Sequence, residues 1–94
     1  MRHRNGSMSK QLPASAVDKA VAAASILHQI PAREITGKRR FRPVVRARQF
    51  AMWLLIQEGY SLNQIAKRFG YHHANVMHAE KVMDALMADR REAA

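Results

Sequence analysis

Hydrophobic residues recur every three or four positions along four segments of this chain, with proline and glycine between the segments. The first stripe consists of Val17, Val21, Ala24 and the Ile26/Leu27 pair. This spacing predicts a helix from about Ser15 to Ile30, which Pro31 ends because its ring disfavours helical geometry at the preceding residue. Ser15 followed by Asp18 resembles a capping pair at the start of that helix.

A second, longer helix is predicted from Pro43 to about Glu58, with Gly59 at its end. Pro43 fits the first turn, where its missing N–H costs nothing. A short helical turn, Arg33–Thr36, is predicted before it and ends at Gly37. The expected buried face of the long helix comprises Val44, Ala47, Ala51, Leu54 and Leu55. The polar residues expected largely off that stripe are Arg46, Arg48 and Gln49.

Two further helices joined by a tight turn are predicted towards the C-terminus. Ser61 and Gln64 form a capping box at the start of the first of them, and Gly70 supplies the turn. The last helix begins near His72/His73 and runs to about Asp89. Their expected core residues are Leu62, Ile65, Ala66, Phe69, Val76, Ala79, Met83 and Leu86. The pattern therefore predicts an all-α orthogonal helical bundle with a helix-turn-helix at about residues 61–88.

The chain has 94 residues, enough for one domain, and a formal net charge of +9 that predicts attraction to nucleic acid. Residues 1–7 resemble a cloning remnant before Met8, so a single helical domain is expected over residues 8–94. The remnant's Arg2 and Arg4 account for two of the charges, which leaves +7. Because cysteine is absent and no apolar run approaches ~20 residues, we expect a cytoplasmic, nucleoid-associated protein with no membrane partner.

Positive charge is concentrated just before the helix-turn-helix. Residues Arg33–Arg48 include seven Lys or Arg and one acid, Glu34. A helix pair of this kind also occurs in proteins that never bind DNA, and a run of charge is often only a solvated surface. Together they suit duplex binding, because lysine and arginine neutralise phosphates while the second helix enters the major groove. We therefore expect double-stranded DNA as the partner, with a helical module that binds an acidic protein as an alternative.

Two groups of residues are candidates for contact with DNA. The first group is expected to reach phosphates or the minor groove and consists of Lys38, Arg39, Arg40, Arg42, Arg46 and Arg48. The second group belongs to the helix-turn-helix and consists of Ser61, Asn63, Tyr71, His72, His73, Ala74, Asn75, His78 and Lys81. The amide of Asn75 can pair with N6 and N7 of adenine, although an exposed helix residue without that role fits equally well.

Other kinds of site find little support in the sequence. The histidines His72, His73 and His78 share no helix face well, and no carboxylate lies at ligand spacing, so no metal is expected. The four glycines form no phosphate-binding loop and no nucleophile–base set is suggested, so neither catalysis nor a cofactor is expected. Trp53, the only tryptophan, is expected to pack in the core or at its edge.

The chain resembles a known family in three segments, KRRFRPVVRARQFAMWLL, SLNQIAKRFG and NVMHA. They are similar to the C-terminal DNA-binding domain (domain IV) of the bacterial replication initiator DnaA, over about residues 17–86. The resemblance implies a fold of the Trp-repressor and DnaA domain IV kind. It also implies sequence-specific duplex binding, with the helix at residues 72–88 in the major groove. The family's minor-groove arginine matches Arg48, and its basic loop matches Lys38–Arg42.

The resemblance is weakest where that family reads bases. Its signature Gly-Gly-Arg-Asp-His-Thr-Thr-Val is matched here by Gly70-Tyr71-His72-His73-Ala74-Asn75-Val76, which is one glycine shorter. Tyr71 and His72 stand in place of Arg-Asp, and Ala74 and Asn75 replace both threonines, whereas His73 is retained. Because these changes alter the donors and acceptors shown to the groove, we expect the chain not to recognise the family's usual initiator box.

These observations lead us to expect a DnaA-like DNA-binding domain of a transcription regulator. Gene control in a phage or mobile element would suit such a protein. A DNA-binding domain of a replication initiator is the second candidate. In either role, RNA polymerase or other replication and transcription proteins are candidate partners besides DNA.

Overall fold

A computed structural model describes residues 10–93 of the chain, and the predicted cloning remnant at residues 1–7 lies outside this range. The described residues form five helices, α1 Ala14–His28, α2 Ala32–Ile35, α3 Arg42–Gln57, α4 Leu62–Phe69 and α5 His73–Ala93. Every regular element in this range is a helix, so the predicted all-α class is confirmed. Each of these helices is too short or too polar to cross a lipid bilayer. Helix α3 is central, because it packs against all four others.

Helix α1 begins without a side-chain cap. The N-cap residue is Pro13, whose carbonyl accepts from the N–H groups of Ala16 at 3.1 Å and Val17 at 3.3 Å. Ser15 is already the second residue of the helix, so its hydroxyl lies too far into the first turn to act as the cap. The predicted capping pair of Ser15 and Asp18 is therefore wrong.

The other end of α1 falls two residues earlier than predicted. Gln29 adopts the left-handed conformation with a φ of 57°, and the N–H of Ile30 then donates to the Ser25 carbonyl at 3.2 Å. This turn, followed by Pro31, directs the chain at once into the short helix α2. The fully buried side chain of Ile35 anchors α2 to the rest of the bundle.

One face of every helix contributes to a common core. The buried residues include Val17, Ala20, Val21, Ala24, Ile35, Val44, Ala47, Ala51, Met52, Leu55, Ile56, Ile65, Ala66, Phe69, Val76, Ala79 and Met83. Because α1 and α5 both pack against α3, its buried face is wider than predicted and includes Met52 and Ile56, while Leu54 is half buried. Leu86 was predicted to face inward, but it is 39% exposed because it lies beyond Met83, the last buried residue of α5.

Trp53 packs at the edge of the core, as predicted. Its indole Nε1–H donates to the Asp84 Oδ1 atom at 2.9 Å, which joins α3 to α5. The indole also stacks on Phe50, with ring centroids 6.2 Å apart. The tryptophan is thus half buried, with its rings against Phe50 and its polar edge paired.

The predicted helix-turn-helix consists of α4, the turn at residues 70–72 and α5. The Ser61 Oγ atom accepts from the Gln64 N–H at 3.1 Å, and the Gln64 Oε1 atom accepts from the Ser61 N–H at 2.9 Å. Gly70 ends α4 in the left-handed conformation with a φ of 75°. The capping box and the glycine turn are therefore confirmed. Helix α5 continues to Ala93 rather than Asp89.

Removing the cap of α4 should destabilise the domain. Because Ser61→Ala deletes the acceptor for the Gln64 N–H, we expect a loss of about 0.5–2 kcal/mol, with Tm lower by about 4–8 °C per kcal/mol. Ser15→Ala is the matched control, since that hydroxyl caps nothing and alanine favours a helix. Thermal unfolding followed by circular dichroism would contradict this assignment if both substitutions lowered Tm equally.

Candidate nucleic-acid interface

The first turns of α5 present a buried face to the core and a polar face to solvent. Val76 and Ala79 are fully buried. The exposed residues on these turns include His73, Ala74, Asn75, His78 and Lys81. At helical spacing, Ala74, Asn75, His78 and Lys81 share the face of α5 that lies away from the core. These side chains are accessible to a large partner.

His72 caps the start of α5. Its Nδ1 atom accepts from the Ala74 N–H at 3.2 Å, and its carbonyl accepts from the Asn75 N–H at 2.9 Å. The imidazole lies against that of His73, with ring centroids 4.6 Å apart. Because Nδ1 acts as an acceptor, the proton of the neutral ring is on Nε2. Sequence analysis named His72 only as a DNA contact and missed its capping role.

The basic loop differs slightly from its predicted bounds, because Arg42 is the first residue of α3. Arg39 pairs with Glu34 at 3.3 Å, an exposed contact that contributes little to stability. Its guanidinium also lies 5.2 Å from the ring centroid of Phe41. Arg40 and Arg42 are exposed, and among the described residues neither has a hydrogen-bond or ion-pair partner. These two guanidinium groups are therefore available to phosphates.

Arg48 occupies a different place from the one predicted. It is 5% exposed, on the core side of α3, rather than off the buried stripe. Its Nε and Nη2 atoms donate to the carbonyls of Ile35 at 2.8 Å and Glu34 at 2.9 Å. Its Nη1 atom donates to the Arg39 carbonyl at 3.0 Å. The prediction that Arg48 lies off the buried stripe is therefore wrong, because its guanidinium is engaged with α2 and the loop, whereas its contact with DNA stays a prediction.

A groove of about 440 Å³ lies between the basic loop, α3 and the start of α5. Its lining residues are Lys38, Arg40, Val45, Arg48, Gln49, Met52, Tyr71, Asn75 and His78. The groove thus brings together candidate DNA contacts of the basic loop and candidate DNA contacts of the helix-turn-helix. Three of its lining residues are Lys or Arg and none is acidic, so its electrostatic potential favours an anion.

Gln49 is a groove residue that sequence analysis did not include among the candidates. Val45, Gln49 and Met52 follow one another at helical spacing along α3 and form one wall of the groove. The signal was present, because Gln49 had been placed off the apolar stripe. Its side chain adds an amide, which can donate and accept hydrogen bonds, to the groove that Asn75 and His78 also line.

Other predicted site residues lie outside this groove. Ser61 uses its hydroxyl in the capping box, and Asn63 is exposed in the first turn of α4. Arg46 is half buried, and its Nη1 atom is buried with no hydrogen-bond partner among the described residues. Within residues 10–93, no three His, Asp or Glu side chains come together as metal ligands would.

Comparison with known proteins identifies the kind of domain that carries this groove. Residues 15–82 match the family model for the bacterial dnaA protein helix-turn-helix. This match extends from α1 into α5 and includes the basic loop and the turn. The family is defined by a helix-turn-helix and not by a catalytic module.

A full-length relative gives the same result. The chain is 36% identical over 67 residues to the chromosomal replication initiator protein DnaA of Dechloromonas aromatica (strain RCB). The shared segment is 69% of this chain and 14% of the relative. No solved structure matches the chain. From the match over residues 15–82, this chain belongs to the family of bacterial DnaA helix-turn-helix domains.

Proposed function

We propose that residues 8–94 act as one unit that binds double-stranded DNA, with the start of α5 in the major groove. The observation that carries this proposal is the cationic groove, which has Arg40 on the loop side and Asn75 and His78 on the α5 side. A helix-turn-helix needs basic residues of this kind beside it, because contacts with phosphates fix its register on the duplex while contacts with bases supply specificity. The family to which the chain belongs supports the same function.

We assign roles within this interface by asking which side chains are already hydrogen-bonded within the protein and which are free to contact DNA. Arg40, in the loop, and Arg42, at the start of α3, are exposed without partners among the described residues, so they best fit phosphate or minor-groove contact. Asn75 and His78 lie on the exposed face of α5, where an amide and an imidazole can reach base edges. Arg48 acts through the loop that it holds.

The residues proposed to read bases differ from those of the family signature. Ala74 offers a methyl group suited to apolar contact with the thymine methyl, and Asn75 can bond adenine through two hydrogen bonds. Threonines would offer hydroxyls at both positions. We therefore propose that the chain recognises a duplex sequence other than the initiator box.

This difference in base-reading residues favours a transcription regulator as the biological role. A changed target sequence would direct such a protein to sites other than the origin of replication. A replication initiator is the second candidate, and the 36% identity to an initiator favours it. The two roles predict different target sequences, while the fold and groove are compatible with both.

Selection from a pool of random duplexes tests the function and separates these roles. A regulator should enrich one motif that is unlike the initiator box, whereas an initiator should enrich that box itself. Enrichment of no motif, with binding that disappears steeply as salt is raised, would contradict specific recognition and leave only non-specific attraction or an acidic protein partner.

Asn75→Ala should change sequence preference more than general affinity. Loss of a bidentate contact with adenine should cost about 1–3 kcal/mol on the selected duplex, roughly a 5- to 150-fold increase in Kd, and little on a scrambled duplex. The control is Lys81→Ala on the same helix, which should weaken both duplexes equally and lower the salt slope by about one unit. Equal losses for Asn75→Ala on both duplexes would remove it from base reading.

Arg40→Ala and Arg48→Ala should weaken binding by separate routes. Arg40 has no structural partner among the described residues, so its loss should reduce affinity for all duplexes and the salt slope by about one unit, without lowering Tm. Arg48→Ala leaves the carbonyls of Ile35 and Arg39 without a donor, and that of Glu34 with only the Gly37 N–H, so it should cost about 1.5–3 kcal/mol of stability. Titrations at several salt concentrations, with thermal unfolding of each variant, check both; an unchanged Tm for Arg48→Ala would contradict its structural role.

A further inference from the structure

Two side chains join the turn of the helix-turn-helix to the start of the basic loop. The Lys38 Nζ atom donates to the carbonyls of Phe69 at 3.0 Å and Gly70 at 2.6 Å. In the opposite direction, the Tyr71 hydroxyl donates to the Gly37 carbonyl at 3.0 Å. The Lys38 Nζ atom also lies 4.0 Å from the centroid of the Tyr71 ring, within the range of a cation–π contact. We call Lys38 and Tyr71 the loop–turn bridge.

Helix packing does not provide this connection. Helix α2 packs against α1 and α3, whereas α4 packs against α3 and α5. Within the described residues, α2 has no packing contact with either helix of the helix-turn-helix. The loop that follows α2 is therefore held to the turn indirectly through α3 and directly through the bridge.

Gly70 makes room for the bridge. Its φ of 75° lies in the left-handed region, which glycine adopts without strain. A Cβ atom at this position would also lie 2.6 Å from the Lys38 Nζ atom and would push the ammonium away from the two carbonyls it bonds. Both the left-handed backbone conformation and the close approach of Lys38 thus depend on residue 70 being glycine, which has no Cβ atom.

The bridge also lies within the groove itself. Lys38 and Tyr71 line it together with Arg40 from the loop and Asn75 and His78 from α5. Because the bridge links the loop directly to the turn before α5, it restricts how far the loop cations can move from Asn75 and His78. In the family signature an arginine stands in place of Tyr71, so the phenol bond to the Gly37 carbonyl is a feature of this chain.

We propose that Lys38 and Tyr71 are positioning residues for duplex recognition, which hold Arg40 in register with Asn75 and His78. This inference rests on the DNA-binding function proposed above. A loop that is already ordered loses less conformational freedom on binding, so more of its contact energy appears as affinity. Without the bridge, the same cations would still attract DNA, but they would have to be ordered at the moment of binding.

The test uses Tyr71→Phe, which removes the hydroxyl donor but keeps the ring and the charge of the protein. Tyr60→Phe is the matched control, because Tyr60 is 6% exposed and also has a lysine, Lys10, above its ring at 4.7 Å. We expect Tyr71→Phe to raise Kd for the selected duplex about three- to tenfold, and Tyr60→Phe to leave it unchanged. Nitrogen-15 relaxation should show loss of order at the amides of Arg39–Phe41 in Tyr71→Phe alone.

A double-mutant cycle distinguishes positioning from a general loss of structure. Arg40→Ala raises Kd by some factor in the wild type. In the Tyr71→Phe background, we expect that factor to be smaller by about two- to threefold or more. The same cycle with Lys81→Ala should be additive, because Lys81 is on α5 and does not move with the loop. The inference would be overturned if the effects of Tyr71→Phe and Arg40→Ala on Kd were additive and the loop stayed ordered. The proposed function would survive that result, because the wild-type chain would still bind the duplex. A wild-type chain that binds no duplex would overturn the proposed function, and this inference with it.

Discussion

The buried guanidinium of Arg48 is the contact on which the interface depends. Helix α2 has only four residues, too few to be stable alone. Of its last two carbonyls, that of Glu34 accepts only from the Gly37 N–H at 3.2 Å, and that of Ile35 accepts from no backbone N–H of the described residues. Arg48 donates to both of these carbonyls and to a third in the loop. Burying a charge is costly, but three charge-assisted hydrogen bonds offset much of that cost. One side chain of α3 therefore orders both α2 and the loop.

This arrangement explains how a basic side chain can hold the structure together and still contribute to the positive potential of the interface. Arg48 donates three hydrogen bonds to carbonyls and Lys38 donates two, yet both basic residues also line the groove. Coulomb attraction acts over several ångströms and needs no direct contact. These two residues can thus raise the potential of the groove, while the exposed guanidinium groups of Arg40 and Arg42 are the ones proposed to contact DNA directly. Counting basic residues in the sequence does not separate these two functions.

The features that the sequence predicted correctly are mostly local. The capping box of Ser61 and Gln64 involves two residues three positions apart, and the turn at Gly70 needs one residue type, so both are readable directly. The prediction for Ser15 was wrong because the same local pattern occurs here inside the first turn of a helix whose N-cap, Pro13, lies two residues earlier. Arg48 could not be placed from its own segment, since its acceptors are the carbonyls of residues nine to fourteen positions earlier. The bridge between Lys38 and Tyr71 likewise depends on an approach between distant segments.

The separation of supporting and reading residues has a consequence for how DNA specificity can change in this fold. Arg48, Lys38, Tyr71 and His72 bond to backbone groups, so replacing any of them disturbs the position of the loop or the start of α5. The side chains at positions 74, 75 and 78 are exposed and have no side-chain hydrogen bond among the described residues. Substitution there costs little stability, because surface positions away from caps and networks tolerate change. A domain built in this way can acquire a new target sequence while it keeps the groove that is proposed to meet the phosphates.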